Sequence, residues 1–413
     1  MAKRETNRLE ANRQREAVRI VLFGTLLLFG QALLLWAPGP ASAQQSYETY
    51  FRYINDYPSK AALPWGTHPQ GATHDEDCWY ITQGPGLDEK PPIASLWRIP
   101  VELDLNSVGF STPGVTIKDL KNIPPIMRDD YNHVGDPTYY KYGGQGYVLV
   151  PIEGPDPATG AGRGGIAVFR ADASLAYVAH VALPLARQSR APWCAVDQQG
   201  ILYTSNYSDV STVHRYNVKW PMLQDKTPKL VLDYSSSLTL RDEAGSVFAL
   251  QEVQGGKITP DGTLLYMVGR DIHVFSIATG RRVRQSENGS GWFNYEYQWP
   301  QIPEGMVIWD LDNGMAPHIR GQLHVFMFRH GLISHDDLYF KHYDGAIDVD
   351  GSVGTDKRPG TERVFPFKTV GGGQSQAWDG AHINIKAGSY PEKLTLSKPV
   401  KLVAKGGTVT IGK

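Results

Sequence analysis

Four side chains in this sequence are candidates for acid–base chemistry. Glu304 lies in Pro303-Glu304-Gly305, at the head of an apolar strand pattern. A carboxyl there can act as a general acid or base, or ligate a metal. Glu153 directly follows the apolar run Tyr147 to Ile152. His133 and Asp136 stand three apart in His-Val-Gly-Asp. In an extended segment that spacing sends them to opposite sides, unless Gly135 carries a bulge and lets the pair polarise a water or hold a cation. Each has a plainer reading as well: a turn glutamate for Glu304, and a cap on the turn before Pro137 for Asp136.

His74-Asp75-Glu76-Asp77 concentrates ligating groups, and His74 and Asp75 are the candidates there for a hard cation such as Ca²⁺. A turn this acidic is more often simply solvated. Asp310-Leu-Asp-Asn-Gly314 opens like a calcium loop but lacks the distal Glu at the required spacing, so an ordinary turn is expected. Six further polar residues, Gln70, Arg190, Asn206, Gln254, Arg270 and His330, sit at the ends of apolar runs and are candidates for ligand binding.

The elements that must position these residues are short strands. Lys257 to Arg284 is the clearest case. Ile258-Thr259 ends one strand, Pro260-Asp261-Gly262 turns the chain, Leu264 to Val268 and Ile272 to Ile277 are apolar strands, and Arg281 to Arg284 starts a polar edge. Pro presets φ for such a turn and Gly supplies positive φ. A four-stranded sheet this short cannot bury both faces alone, so it needs copies of itself. Four more follow the same order of short strand, turn, longer apolar strand, loop and third strand. They begin near Gly71, His133, Pro192 and Gly305. An Asp marks the first turn in four of the five (Asp75, Asp197, Asp261, Asp310). Abundant Gly (43), Pro (28) and Tyr (21), with no long 3.6-residue period, agree with an all-β chain.

This grammar, over about Trp65 to Val370, resembles that of secreted bacterial five-bladed β-propellers, an architecture shared by glycosidases, nucleotidases and lectins. A sixth blade is the alternative, hidden in Val101 to Pro125 or Leu230 to Leu250. In a propeller, the starts of first strands and the ends of second strands open on one face. The resemblance therefore gathers Gln70, His133, Arg190, Gln254 and Glu304 with Gln83, Glu153, Asn206, Arg270 and His330 around the channel mouth, the default place for a ligand. Trp193 and Tyr139 fall on channel strands. Trp292, Tyr295, Tyr297 and Trp299 cluster in a loop whose rings could stack on sugars. After Gly371-Gly-Gly373, a flexible linker by composition, residues 371–413 carry alternating short strands. These resemble the first rungs of a right-handed parallel β-helix, giving a small C-terminal β appendage.

The N-terminus bounds the setting. Six basic residues (Lys3, Arg4, Arg8, Arg13, Arg15, Arg19) precede the apolar run Ile20 to Ala37, and Ala41-Ser-Ala43 has the form of a cleavage site. Residues 1–43 therefore read as a signal peptide, with a lead-in segment at 44–64. The expected location is secreted or periplasmic, with a membrane attachment only if the apolar segment stays uncleaved. A formal net charge of −1 gives no basis for nucleic-acid binding. Cys78 and Cys194 suit either one disulfide or two buried thiols. Two function classes stay open. The first is a binding module for a glycan or other small extracellular ligand at the mouth. The second is a hydrolase acting on glycosides or phosphoesters through Glu304, Glu153 or Asp136, with Ca²⁺ as an open cofactor. No nucleophile motif is present, which favours binding.

Overall fold

The chain divides into two compact units, 1–46 and 47–413, and the first lies outside the described residues. The computed structural model describes residues 51–412, except 62, 85–93, 121–130, 156–159, 161, 287–300, 312–313, 330–336, 353, 355, 357–366, 378–381 and 398–399. Among the described residues no helix is long and apolar enough to cross a membrane.

Strand β1 spans Arg52–Ala61. Blade 1 is β2 (Pro69–His74), β3 (Cys78–Gln83), β4 (Ser95–Pro100) and β5 (Thr116–Asp119). Blade 2 has a broken inner strand, β6 (His133–Val134) and β7 (Thr138–Tyr142), followed by β8 (Gln145–Pro155), β9 (Gly162–Arg170) and β10 (Tyr177–Ala182). Blade 3 is β11 (Ala195–Val196), β12 (Ile201–Thr204), β13 (Thr212–Val218) and β14 (Leu232–Thr239). Blade 4 is β15 (Gly255–Ile258), β16 (Leu264–Val268), β17 (Ile272–Ser276) and β18 (Arg282–Gln285). Blade 5 is β19 (Gln301–Ile308), β20 (Leu323–Arg329) and β21 (Asp337–Asp344), and β1 supplies its outer strand. The protein is an all-β, five-bladed propeller; among the described residues neither stretch that could have hidden a sixth blade forms one.

The two-sided apolar pattern follows from this arrangement, because every blade is buried on both faces. On β3, Trp79 and Ile81 pack toward blade 5, while Cys78 and Tyr80 pack toward blade 2. On β16, Leu265 and Met267 meet blade 3, and Tyr266 and Val268 meet blade 5. The turn aspartates are structural. Asp75 accepts the amides of Asp77 and Cys78 and the Tyr80 hydroxyl (2.9, 2.7 and 2.6 Å). Asp197 repeats the device with Gln199, Ile201 and Tyr203. Cys78 and Cys194 are free thiols in different inter-blade cores, so no disulfide joins them.

The lead-in segment closes the ring. β1 pairs antiparallel with β21, and Lys341 meets Asp56 at 3.1 Å across the seam. Beyond the propeller, β22 (Ala346–Val349), β23 (His382–Tyr390) and β24 (Lys401–Ile411) form a three-stranded parallel sheet. The glycine run is not a flexible linker: Val370–Gln376 is a short helix, α1. Thr369 caps it through the Gly372 amide, and the Glu392 carboxylate accepts the Val370 and Gly371 amides (2.7 and 2.8 Å). Glycine is needed there for close packing, since a Cβ on Gly373 would lie 2.9 Å from the Val349 side chain.

Candidate functional site at the channel mouth

The inner strands converge so tightly that the channel is closed at its centre. A Cβ on Gly71 would fall 2.2 Å from Asp136 Oδ1, one on Gly305 would fall 2.6 Å from the Gly71 Cα, and one on Gly255 would fall 2.9 Å from the Gly305 Cα. Asp136 fills what remains. The break between β6 and β7 lets its backbone bridge to Trp193 of the next blade, accepting from Cys194 N and donating to the Pro192 carbonyl. Its carboxylate meets Lys257 Nζ at 2.7 Å and accepts the amides of Gly256 and Met306. Lys257 also donates to the Pro137 carbonyl at 2.8 Å. Burial holds Asp136 above the usual carboxylate range, against the pull of Lys257 and the amides, and the same burial lowers Lys257. Asp136 is thus neither a catalytic partner of His133 nor a turn cap. It ties together blades 2, 3, 4 and 5.

Above this plug the structure brings together His133, Glu153 and Arg190. Glu153 ends the pairing of β8 with β6, directly opposite His133. Its carboxylate is buried and accepts Ala191 N (2.6 Å) and Arg190 Nε (2.8 Å), and its second oxygen lies 3.7 Å from His133 Nδ1. Burial lowers the proton affinity of His133, with Glu153 opposing, so the ring is neutral at pH 7. Asn206 serves this cluster from behind: its side-chain oxygen accepts the Ser189 and Arg190 amides (3.0 and 3.1 Å).

Glu304 stands apart. It is 5% exposed on β19, at the bulge between Pro303 and Gly305, and among the described residues no group hydrogen-bonds its carboxyl. Burial raises its pKa well above the usual carboxylate range, which favours the protonated form. Glu304 lies near enough to Tyr207 to act on it. Burial raises that phenol first, then the charges of Glu252 and Glu304. Arg190 lies 5.7 Å over the Tyr207 ring, and Glu252 holds Arg270 in a two-bonded pair (2.8 and 3.0 Å) at the rim.

The remaining candidates divide. Gln70 is buried beside Gly84, with its amide close to where a Cβ on that residue would be, and no protein group bonds its side chain. Gln254 is half-buried at the head of β15, tied only through its backbone amide to Val268. Gln83 is structural, bonded to Pro64, Ser95 and Trp97. Trp193 is wholly buried on Gly256 and bonded to Ser205, and Tyr139 stacks on Tyr80 between blades. His330 and the Trp292–Trp299 loop lie outside the described residues. His74 stacks on Trp309 (4.0 Å), and its two ring nitrogens face the Asp75 and Ile308 carbonyls. Asp75 is engaged by three donors of its own turn, and among the described residues no cluster of three ligating side chains occurs.

Sequence reasoning passed over Tyr207, Glu252 and Lys257. Lys257 did carry a signal: a lone cation inside a buried strand, Gly-Gly-Lys-Ile, requires a partner. Tyr207 and Glu252 sit in connections, where spacing says nothing about which way a side chain turns.

No family model and no curated protein matches this sequence. Solved structures do. One is a GH43_1 enzyme from Xanthomonas citri complexed with xylose, with 13% identity, a TM-score of 0.36, and coverage of 68% of this chain and 89% of that one. Another is the native arabinanase from Bacillus subtilis, with 12% identity, a TM-score of 0.35, and coverage of 68% and 96%. A third, the RS223 β-xylosidase, has 10% identity and a TM-score of 0.38, over 68% and 94%. Likeness at this level is of architecture alone.

Proposed function

We propose that the channel mouth takes a neutral, hydroxyl-rich ligand of the saccharide class and that the protein hydrolyses it, with Glu304 as proton donor. The observation that supports this most is Glu304 itself. A buried carboxyl with no partner destabilises the fold, and a general acid needs a proton retained at working pH. The neutrality of the ligand follows from charge balance. Arg190 is matched by Glu153 and Arg270 by Glu252, while His133, Gln70, Gln254 and Tyr207 are uncharged. Such a lining offers hydrogen bonds to hydroxyls and no net charge to a phosphoester.

In this reading Glu304 gives its proton to the glycosidic oxygen as the C–O bond breaks, and water adds to the sugar carbon. The second carboxylate of such chemistry is best supplied, among the described residues, by Glu252, which is half-exposed and held by Arg270. Asp136 and Glu153 are saturated. That saturation also favours a second reading, recognition of a saccharide without cleavage. An extracytoplasmic glycan target suits the leader at 1–43.

The test is a panel of neutral oligosaccharides assayed for reducing-end release, with Glu304→Gln as control. Hydrolysis predicts a loss of turnover of about 10²- to 10⁴-fold with binding retained. Native-state melting temperatures raised by sugars, with no product from wild-type protein, would leave recognition standing alone.

A further inference from the structure

A cavity of ≈ 450 Å³ opens on the flank of blade 4, between the connection that precedes β15 and the outer strands β17 and β18. Its volume falls within the roughly 300–1,000 Å³ of small-molecule sites. Its inner wall is the Arg270–Glu252 pair, so it shares that pair with the mouth. Gly269 makes the wall thin: a Cβ there would lie 2.9 Å from both the Gln251 and Glu252 carbonyl oxygens. Glu252 itself is held at φ 54, an unfavourable conformation for a residue with a side chain.

The chemistry of the cavity repeats that of the mouth. Its cations are matched, Arg282 by Glu243 through two bonds of 2.8 Å and Arg270 by Glu252. His273 is 8% exposed, and its Nδ1 accepts from Arg282 at 3.4 Å, which leaves the ring proton on Nε2. Among the described residues no group accepts that proton. Burial keeps the ring neutral, near a pKa of about 3. Gln285 donates one N–H to Asp271 at 3.2 Å, and its own oxygen has no donor among the described residues. Beyond the two ion pairs the one remaining charge is the Asp271 carboxylate, a hydrogen-bond acceptor held by Gln285. The flank thus presents an unused donor and further acceptors, and no unmatched cation, one ion pair away from the mouth.

We propose that this cavity is an outer subsite that receives the continuation of the same ligand, so that the protein takes a neutral oligosaccharide running from the Glu304 mouth over the Arg270–Glu252 pair onto blade 4. The proposal rests on the saccharide reading of the mouth.

The test uses full-length protein carrying Glu304→Gln, to prevent turnover. Neutral pentoses and hexoses and their linear oligomers of two to four units are titrated by calorimetry or saturation-transfer NMR. Oligomers should bind at least 10-fold more tightly than the single sugar. His273→Phe, which keeps the stacking on Phe275, and Gln285→Ala should each bring that ratio toward 1 while leaving the affinity for the single sugar unchanged. A single sugar that binds without any gain from added units overturns the outer subsite alone, as does an unchanged ratio in both variants. If no probe of any length binds, the mouth reading and this proposal fall together. A melting temperature within a degree or two of the parent shows that each variant is folded.

Discussion

Two buried carboxyls on the inner strands, Asp136 and Glu304, receive opposite treatment. Asp136 has a lysine at 2.7 Å, two backbone amides and glycines shaped to its outline. Glu304, at the bulge just before Gly305 of that packed centre, has burial and nothing else. Burial raises both, but only at Asp136 does the protein supply groups that pull the other way. The difference separates scaffold from site. A carboxyl met by a lysine and backbone amides holds blades together, and one without them is available to a ligand.

The comparison breaks first at Lys257. Lys257→Met keeps the apolar stem of the side chain and removes its charge, leaving Asp136 buried with amides alone. The expected destabilisation is about 3–5 kcal/mol at pH 8 by urea denaturation. Asp136 already has a folded-state pKa above its unfolded value. A carboxyl shifted in that direction favours folding when protonated and loses that contribution as pH rises through the folded pKa. Loss of Lys257 shifts Asp136 further the same way, so the deficit should shrink at pH 5. A variant as stable as the parent at pH 8 would mean that the ion pair does not hold the centre.

Glu304→Gln should do the reverse. The carboxyl of Glu304 is raised well above the usual range, so its contribution to stability is fully present below the unfolded pKa and lost as pH rises toward the folded value. Glutamine has the same shape and never ionises. Near pH 4 the variant and the parent should match, and above that the variant should become the more stable, increasingly with pH, while activity disappears. A variant less stable than the parent at pH 8 would show that an unseen partner meets the carboxylate.

Much of this was legible in the sequence, for reasons that particular residues make plain. Asp75, Asp197 and Asp261 announced turns because an aspartate that accepts nearby amides is a local device, visible within a few residues. Strand ends were legible too, and with the five-fold arrangement they brought His133, Glu153 and Arg190 into one group. Asp136 was not legible as the central plug, because its partner Lys257 is more than a hundred residues away and pairs with it only once the ring closes. The role of β1 had the same limit, since its partner β21 lies almost three hundred residues further along the chain. The glycines of α1 misled for a different reason: composition registers their freedom, while the close approach of Gly373 to Val349 exists only in the fold.

At the mouth itself, Arg190→Ala tests how far the Glu153 cluster belongs to the site and how far to the scaffold. Glu153 would keep the Ala191 amide and lose its charged partner. Arg190 is about half exposed, with 47% of its side chain accessible, so solvent already screens the pair. The expected loss is about 1–2 kcal/mol, well short of that at Lys257. Ligand affinity should fall with it, because the guanidinium also lies over Tyr207. A loss as large as at Lys257 would place Glu153 with Asp136 in the scaffold.

The smallest effect on stability is expected at the rim. Arg270 and Glu252 are 71% and 41% exposed, and exposed pairs contribute about 0–1 kcal/mol, so Arg270→Gln should change stability by less than about 1 kcal/mol. Its effect on the acid–base balance should be clearer. The Arg270 hydrogen bonds hold the Glu252 carboxylate below its usual range, and without them it rises. Whatever stability that pair confers is present above the unfolded pKa of Glu252 and lost as pH falls through the folded one, so the variant and parent should converge in acid. If Glu252 is the base that works opposite Glu304, the acid limb of the pH–rate profile should move to higher pH in Arg270→Gln, with the alkaline limb unmoved. A profile that keeps both limbs would remove Glu252 from the chemistry and leave the ion pair as a wall between the mouth and the blade 4 cavity.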